Sequence, residues 1–457
     1  MIEEKSKTTD LAAHIHAKLK HSRLALATPP LIVLEELFEC LFYTSMRTEE
    51  GELTKVAVTL IDPANPDPNP PRQIVSERWS CVEFAQHIPL DIRSLTKLSK
   101  AADPSGTSLA VYYDQDGKLF IWGMIDQAMH YQSFLNYESE SGSEQPGLFQ
   151  VFIDDIATLK VMFDYELLAT LKQNVLVTRY LDVFTIGPVS KIIRKNAGAI
   201  RAEIKAFLLA SHPREDFADW EEFVDSIWTQ TLSRLLLKIQ NYHHGGAVLI
   251  SEDSSAVDIK YALNYKRLLL AISGYLKQTI NSYVTEHMID QRLASGKQTV
   301  TRSLYQQETL ALLAKTEVAN EIKGSVSFIA SQSCVDGVVL FGQDMVARGF
   351  GGVIRSKKMP GKIYISSTAT ATPKSLIPID PKHFGTRHRS MIAHCWSHPG
   401  SLGIVISQDG DIRVFSRIED KLIMWENIKT QQYQKSGSSR QPGTDHKEKF
   451  NATFTKI

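Results

Sequence analysis

Residues Gly385-Thr386-Arg387-His388-Arg389 bring two guanidinium groups and an imidazole into one short stretch. Arginine is permanently charged, and its planar fork grips phosphate oxygens in pairs. His388, between the two forks, could reach the same anion or orient an arginine. The Thr386 hydroxyl could donate to a phosphate or a ribose. Upstream, Asp336-Gly337 heads the apolar run Val338-Val339-Leu340-Phe341. A carboxylate at a strand entry and a basic triplet on a neighbouring element suit a nucleoside triphosphate and its metal. Asp336 is the candidate metal ligand, for Mg²⁺ or Mn²⁺ arriving with a nucleotide, and the candidate catalytic acid if the site turns its ligand over. Gly337, Gly385, Thr386, Arg387, His388 and Arg389 are the candidate nucleotide- and phosphate-binding residues. Each piece alone is weak, since Arg-x-Arg is commonly a solvated pair and Asp-Gly commonly a turn. The combination, in this order, carries the reading.

Other candidates yield to plainer explanations. His243-His244 are adjacent, so on a helix they do not face one another, and Gly245 reads as a helix terminator behind them. His394 and His398 have the spacing of a helical metal pair, but Ser397-His398-Pro399-Gly400 argues against a continuous helix. Trp396 reads as core or pocket wall, with base stacking as its functional alternative.

The elements that must position these residues follow from periodicity. Trp220, Phe223, Ile227, Trp228, Leu232, Leu235, Leu236 and Ile239 form a helical stripe. Gly246–Ile250, Val338–Phe341 and Ile404–Ser407 read as strands of one sheet, with Arg387 and Arg389 near one end of it. Tyr261–Met288 and Ser303–Ile322 read as two helices. Earlier, Pro30–Phe42 reads as a helix and Lys55–Ile61 as a strand running into a proline-rich loop over 62–71. Ser108–Tyr113 and Lys118–Met124 form a hairpin across Asp114-Gln115-Asp116-Gly117. The reading divides the chain into a flexible, partly helical lead-in, 1–30, an α+β domain with antiparallel hairpins, 31–190, a domain at 197–428 with a helical insertion at 255–325, and a disordered tail, 429–457.

Composition sets the limits. The 457 residues suffice for two or three domains. Lys+Arg and Asp+Glu both number 51, so the formal net charge is zero and bulk attraction for DNA, RNA or an anionic membrane is absent. Any anion site must therefore be local. The four cysteines form no CxxC pair, and a reduced, cytoplasmic chain is the simple expectation. No apolar run approaches the roughly 18 residues of a membrane span, and the N-terminus lacks a signal-peptide core.

The order of the pieces resembles the DAC domain of diadenylate cyclases, which join two ATP molecules into cyclic di-AMP. Gly245-Gly246-Ala247-Val248-Leu249-Ile250, Asp336-Gly337-Val338, Gly385-Thr386-Arg387-His388-Arg389 and Leu402-Gly403-Ile404-Val405-Ile406-Ser407 follow the family's sequence of motifs. The resemblance spans about residues 217 to 428 and implies an α+β or α/β fold, a DAC-like mixed sheet flanked by helices. Active members carry a metal-supporting Ser-Glu pair after the basic box. Here Ile392–Pro399 contains no acid, and Trp396 falls where the glutamate would be. Glu252 and Asp253, after the first strand, are the nearest substitutes by fold logic. In the N-terminal part, Leu41-Phe42-Tyr43-Thr44-Ser45 and Leu119-Phe120-Ile121-Trp122-Gly123 resemble the DACNV sensor branch of the superfamily. That branch implies detection of ATP or a cyclic dinucleotide in bacterial signalling or defence, with an effector encoded elsewhere. The alternative is an active diadenylate cyclase, a nucleotidyltransferase that would need a homo-oligomer to bring two ATP-loaded sites face to face.

Overall fold

The computed structural model describes residues 5–21, 28–67, 79–127, 148–163, 166–295 and 300–430. It contains helices with mixed, mainly antiparallel sheets, arranged in two compact units, Met1–Arg179 and Tyr180–Ile457. Residues 68–71 of the proline-rich loop and the tail from 431 onward lie outside the described residues.

The first unit holds an eight-stranded sheet. Its spatial order is Val175–Val177, Glu166–Lys172, Thr158–Phe163, Phe149–Asp155, Ala57–Leu60, Thr107–Tyr113, Leu119–Asp126, Ser80–Pro89. Pairing is antiparallel except between Ala57–Leu60 and Thr107–Tyr113. The expected hairpin forms because Asp114 builds its own turn. Its carboxylate accepts from the Asp116 and Lys118 amides at 3.0 and 2.9 Å, and Gly117 takes φ +83°. The helix Leu31–Thr44 buries Leu34, Leu37, Phe38 and Leu41 against the sheet's apolar side.

The lead-in is helical in part. Thr8–His21 is a helix whose Leu11, Ile15 and Leu19 recur every four residues and join the same core. Its polar composition belongs to the outer face. Leu11 and Ile15 are fully buried, so this part of the lead-in is an integral layer of the unit.

The second unit is built on a nine-stranded sheet. Its order is Val257–Tyr265, Ala347–Ile354, Val338–Phe341, Gly246–Ile250, Leu402–Ile406, Ile412–Ile418, Lys421–Trp425, Ile363–Ser366, Leu376–Ile379. The three strands expected to share a sheet are its centre. Gly246–Ile250 runs parallel to Val338–Phe341 and antiparallel to Leu402–Ile406. Their unbroken apolar sequences reflect burial on both faces. Val248, Ile250, Val339, Phe341, Ile404 and Ile406 face one core, packed by the helices Glu221–Asn241, Arg267–Ser295 and Arg302–Gln332. Ala247, Leu249, Val338, Leu340 and Val405 face the other, packed by Met391, Ile392 and Cys395 of the helix Thr386–Ser397. The alternation is the two-residue period of a pleated strand.

The insertion differs from expectation. Val257–Tyr265 is an edge strand, so the helix expected from Tyr261 starts only at Arg267. The reason is tertiary. Pairing with Ala347–Ile354 takes up this segment, and Tyr261 stacks on Phe350 with ring centroids 4.8 Å apart. Among the described residues no helix is long and apolar enough to cross a membrane.

Candidate functional site

The helix Glu221–Asn241 ends in a turn in which His243 and Gly245 both take positive φ, 51° and 69°. Both histidines at 243 and 244 are exposed, and Gly246 then opens the central strand. A β-carbon at Gly245 would lie 2.8 Å from Arg387 Nη1, 3.1 Å from Ile406 O and 3.2 Å from Gln408 N. Arg387 therefore lies against the bare backbone where the central strand begins. The parallel neighbour begins at the same end, led in by Asp336-Gly337.

This brings Asp336 and Arg387 together. Arg387 Nη2 is 4.0 Å from Asp336 Oδ1, with the arginine side chain 34% exposed and the carboxylate 99% exposed. An ion pair so open to water is worth under about 1 kcal/mol. It can open when a stronger anion arrives, leaving the guanidinium available. Arg389 is exposed, one residue past His388, and no ion-pair partner faces it among the described residues.

The basic box forms the first turn of the helix Thr386–Ser397. Gly385 is its N-cap and offers no side-chain cap, and the first turn holds no acid. The positive end of the helix dipole and its unpaired amides thus add to two arginines. A β-carbon at Gly385 would meet nothing within 4 Å, so an approaching ligand has open space there. Gly337 has a different reason to be glycine. Its φ is +118°, and a β-carbon would lie 2.6 Å from the Gly351 carbonyl carbon. It packs one strand on the next, whatever else it touches.

His388 turns away from a role as a third cation. Its Nε2 lies 3.3 Å from Arg413 Nη1, and its ring sits between Phe384 and Phe415, at 5.6 and 6.0 Å between centroids. Burial pushes its pKa down to about 4, and Arg413 and Arg387 push in the same direction. The imidazole is neutral at pH 7 and accepts from Arg413. Arg413 in turn donates from Nε to Glu426 Oε1 at 2.7 Å. Arg413 lies on the strand Ile412–Ile418. Its place opposite Val405, on the face covered by the basic helix, comes from sheet register.

The far end of the same helix is separate. Nine residues of helix put Trp396 roughly 13 Å along the axis from Arg387. Arg417 lies over the Trp396 ring, 4.3 Å from its centroid, and donates to the Trp396 carbonyl at 2.9 Å. Trp396 also packs against the core on this side of the sheet, in keeping with its reading as core or pocket wall. Asp253 also lies at this end, beyond Ile250, with Oδ2 3.5 Å from His398 Nε2. The histidines four apart do meet, with rings stacked at 4.3 Å, but His394 is buried and its Nε2 faces Ser251 Oγ at 3.1 Å. Among the described residues no group of three or more His, Cys, Asp or Glu could hold a metal ion. Mg²⁺ favours several hard oxygen ligands in octahedral geometry. Asp336 alone, beside a guanidinium, does not make a resident metal site, so a cation would have to come with its nucleotide.

No curated protein and no solved structure matches the chain. A family model described as "Probable sensor domain DACNV" matches residues 24–126, within the first unit, and this stretch contains both Leu41–Ser45 and Leu119–Gly123.

Proposed function

We propose that the second unit binds a phosphate-bearing nucleotide, ATP or a cyclic dinucleotide, and that the chain senses this ligand without turning it over. The observation that carries the reading is the meeting of Arg387 with Asp336 at the mouth of an uncapped helix N-terminus. Cationic forks, helix dipole and open space over Gly385 make a local anion site on a chain of zero net charge. The match of residues 24–126 to a probable sensor domain supports a sensing role for the chain as a whole. Sensing also fits the carboxylate inventory. Phosphoryl transfer relies on metal ions to neutralise developing charge. At the arginine end Asp336 faces Arg387 and Glu426 is taken up by Arg413, and Ile392–Pro399 supplies no further acid. The output of such a sensor would be a separately encoded effector in bacterial signalling or defence, or a change in assembly.

Two measurements test this. A thermal-shift panel of nucleotides and cyclic dinucleotides should raise the melting temperature for at least one phosphate-bearing ligand, and an entirely flat panel would remove the binding reading. Purified protein incubated with labelled ATP and Mn²⁺ or Mg²⁺ should yield little or no cyclic di-AMP. Robust metal-dependent synthesis, abolished by Asp336→Asn, would replace the sensor with the cyclase.

A further inference from the structure

We infer that Arg413 is a third anion-binding arginine of this site, held in place by His388 and Glu426; the inference rests on the reading of the Arg387 end as an anion site. Arg413 is anchored on two of its three nitrogens. Nε donates to Glu426 Oε1 at 2.7 Å, and Nη1 donates to His388 Nε2 at 3.3 Å. Its side chain remains 25% exposed, and among the described residues no acceptor is paired with Nη2. A guanidinium tied through Nε and Nη1, with Nη2 left free, is oriented before any ligand arrives, which lowers the ordering cost of binding.

The neighbours point the same way. Arg413 lies in register with Val405, on the sheet face that carries the basic helix. His388 stands beside Arg387 in sequence and within hydrogen-bond reach of Arg413, so both guanidinium groups act on it at one end of the sheet. The loop before Arg413 reaches Arg387 as well, since Gln408 N and Arg387 Nη1 both crowd the position of a β-carbon on Gly245. The groups around His388 are Arg387 on its own helix, Arg413 on the adjoining strand with Glu426 behind it, and the rings of Phe384 and Phe415. A protonated imidazole could not accept from Arg413, so the arrangement needs His388 neutral, as its burial keeps it. His388 is then a positioning residue, and Arg413 the group that touches the anion.

The test uses the full chain and calorimetric titration with inorganic pyrophosphate and with ATP. Arg387→Ala should weaken binding by about 10- to 150-fold, and Arg413→Ala should weaken it about tenfold, the scale of one charge-assisted contact. Arg413→Gln serves as a second variant should the alanine form fold poorly. His388→Gln, whose amide oxygen can still accept from Arg413, should keep most of the affinity, whereas His388→Phe should weaken it as Arg413→Ala does. Adding His388→Phe to Arg413→Ala should cost nothing more, because the histidine acts only through the arginine. Wild-type affinity in the folded Arg413 variants, with binding weakened in Arg387→Ala, would overturn the inference and leave the anion site standing. Unchanged binding in all variants, Arg387→Ala included, would remove the anion site and the inference together.

Discussion

At the scale of residues, the site depends on exposed charge with weak internal partners. Arg387→Ala and Arg389→Ala should each cost a phosphate-bearing ligand about 1.5–3 kcal/mol, the range for hydrogen bonds to charged groups. Both side chains are partly or largely open to water, so neither change should lower the melting temperature of the empty protein by much. Calorimetry and a thermal melt on the same samples separate the two effects, and unchanged affinity in both variants would place any ligand elsewhere. Asp336→Asn divides two binding modes. If the phosphate binds free of metal, losing the carboxylate removes like-charge repulsion and affinity should hold or rise. If a divalent cation bridges Asp336 and the ligand, affinity measured with Mg²⁺ should fall. We expect the first result, because Asp336 faces Arg387 rather than other acids.

At the scale of elements, the site is a junction between a helix end and a strand start. Gly245 makes that junction with φ +69° and with Arg387 packed where a side chain would begin. Gly245→Ala should therefore cost about 1–2 kcal/mol of stability from left-handed backbone strain. It should also displace Arg387 and weaken pyrophosphate binding, a coupling that a urea melt and a titration together can read. Gly403 makes the opposite junction, between strand and helix flank. A β-carbon there would lie 2.3 Å from Met391 Cγ and 3.0 Å from Cys395 Sγ, so the basic helix can pack close only on a bare strand. Some of this was legible in the sequence, such as the turn at Asp114–Gly117 and the stripe from Trp220 to Ile239, because local chemistry and period suffice. The strand Val257–Tyr265 was not, because its apolar spacing also fits a helix and only the partner strand decides.

At the scale of the whole molecule, two histidines, His388 half-buried and His394 buried, tie stability to pH. Burial pushes His388 and His394 down to about 4 from an ordinary value of 6.5, helped by Arg413 and Arg387 in the first case and by His398 in the second. Between those values the unfolded chain takes up protons that the folded chain refuses. Stability is therefore full above pH 6.5 and falls as the pH drops toward 4. Melting temperatures from pH 7.5 to 4.5 should show this fall, and His388→Gln or His394→Gln should each flatten part of it. Separate cores also imply separable folding. The second unit's apolar clusters draw only on residues beyond Tyr180. A fragment covering residues 180–430 should melt cooperatively and bind pyrophosphate, and an unfolded fragment would refute its autonomy.

Sequence by itself determined the basic box, the strand entry at Asp336, the three central strands and the α+β character of the chain. These are local properties, written in side-chain charge, turn residues and a period of two. Tertiary structure decided which groups share an end of the sheet. Strand direction and register put Asp336 with Arg387, brought Arg413 under His388, and sent Asp253 and Trp396 to the opposite end. Burial made the same kind of decision for His388. Its neighbours in sequence are two exposed or half-exposed arginines, but its neighbours in space are two aromatic rings and a guanidinium, and those keep it neutral.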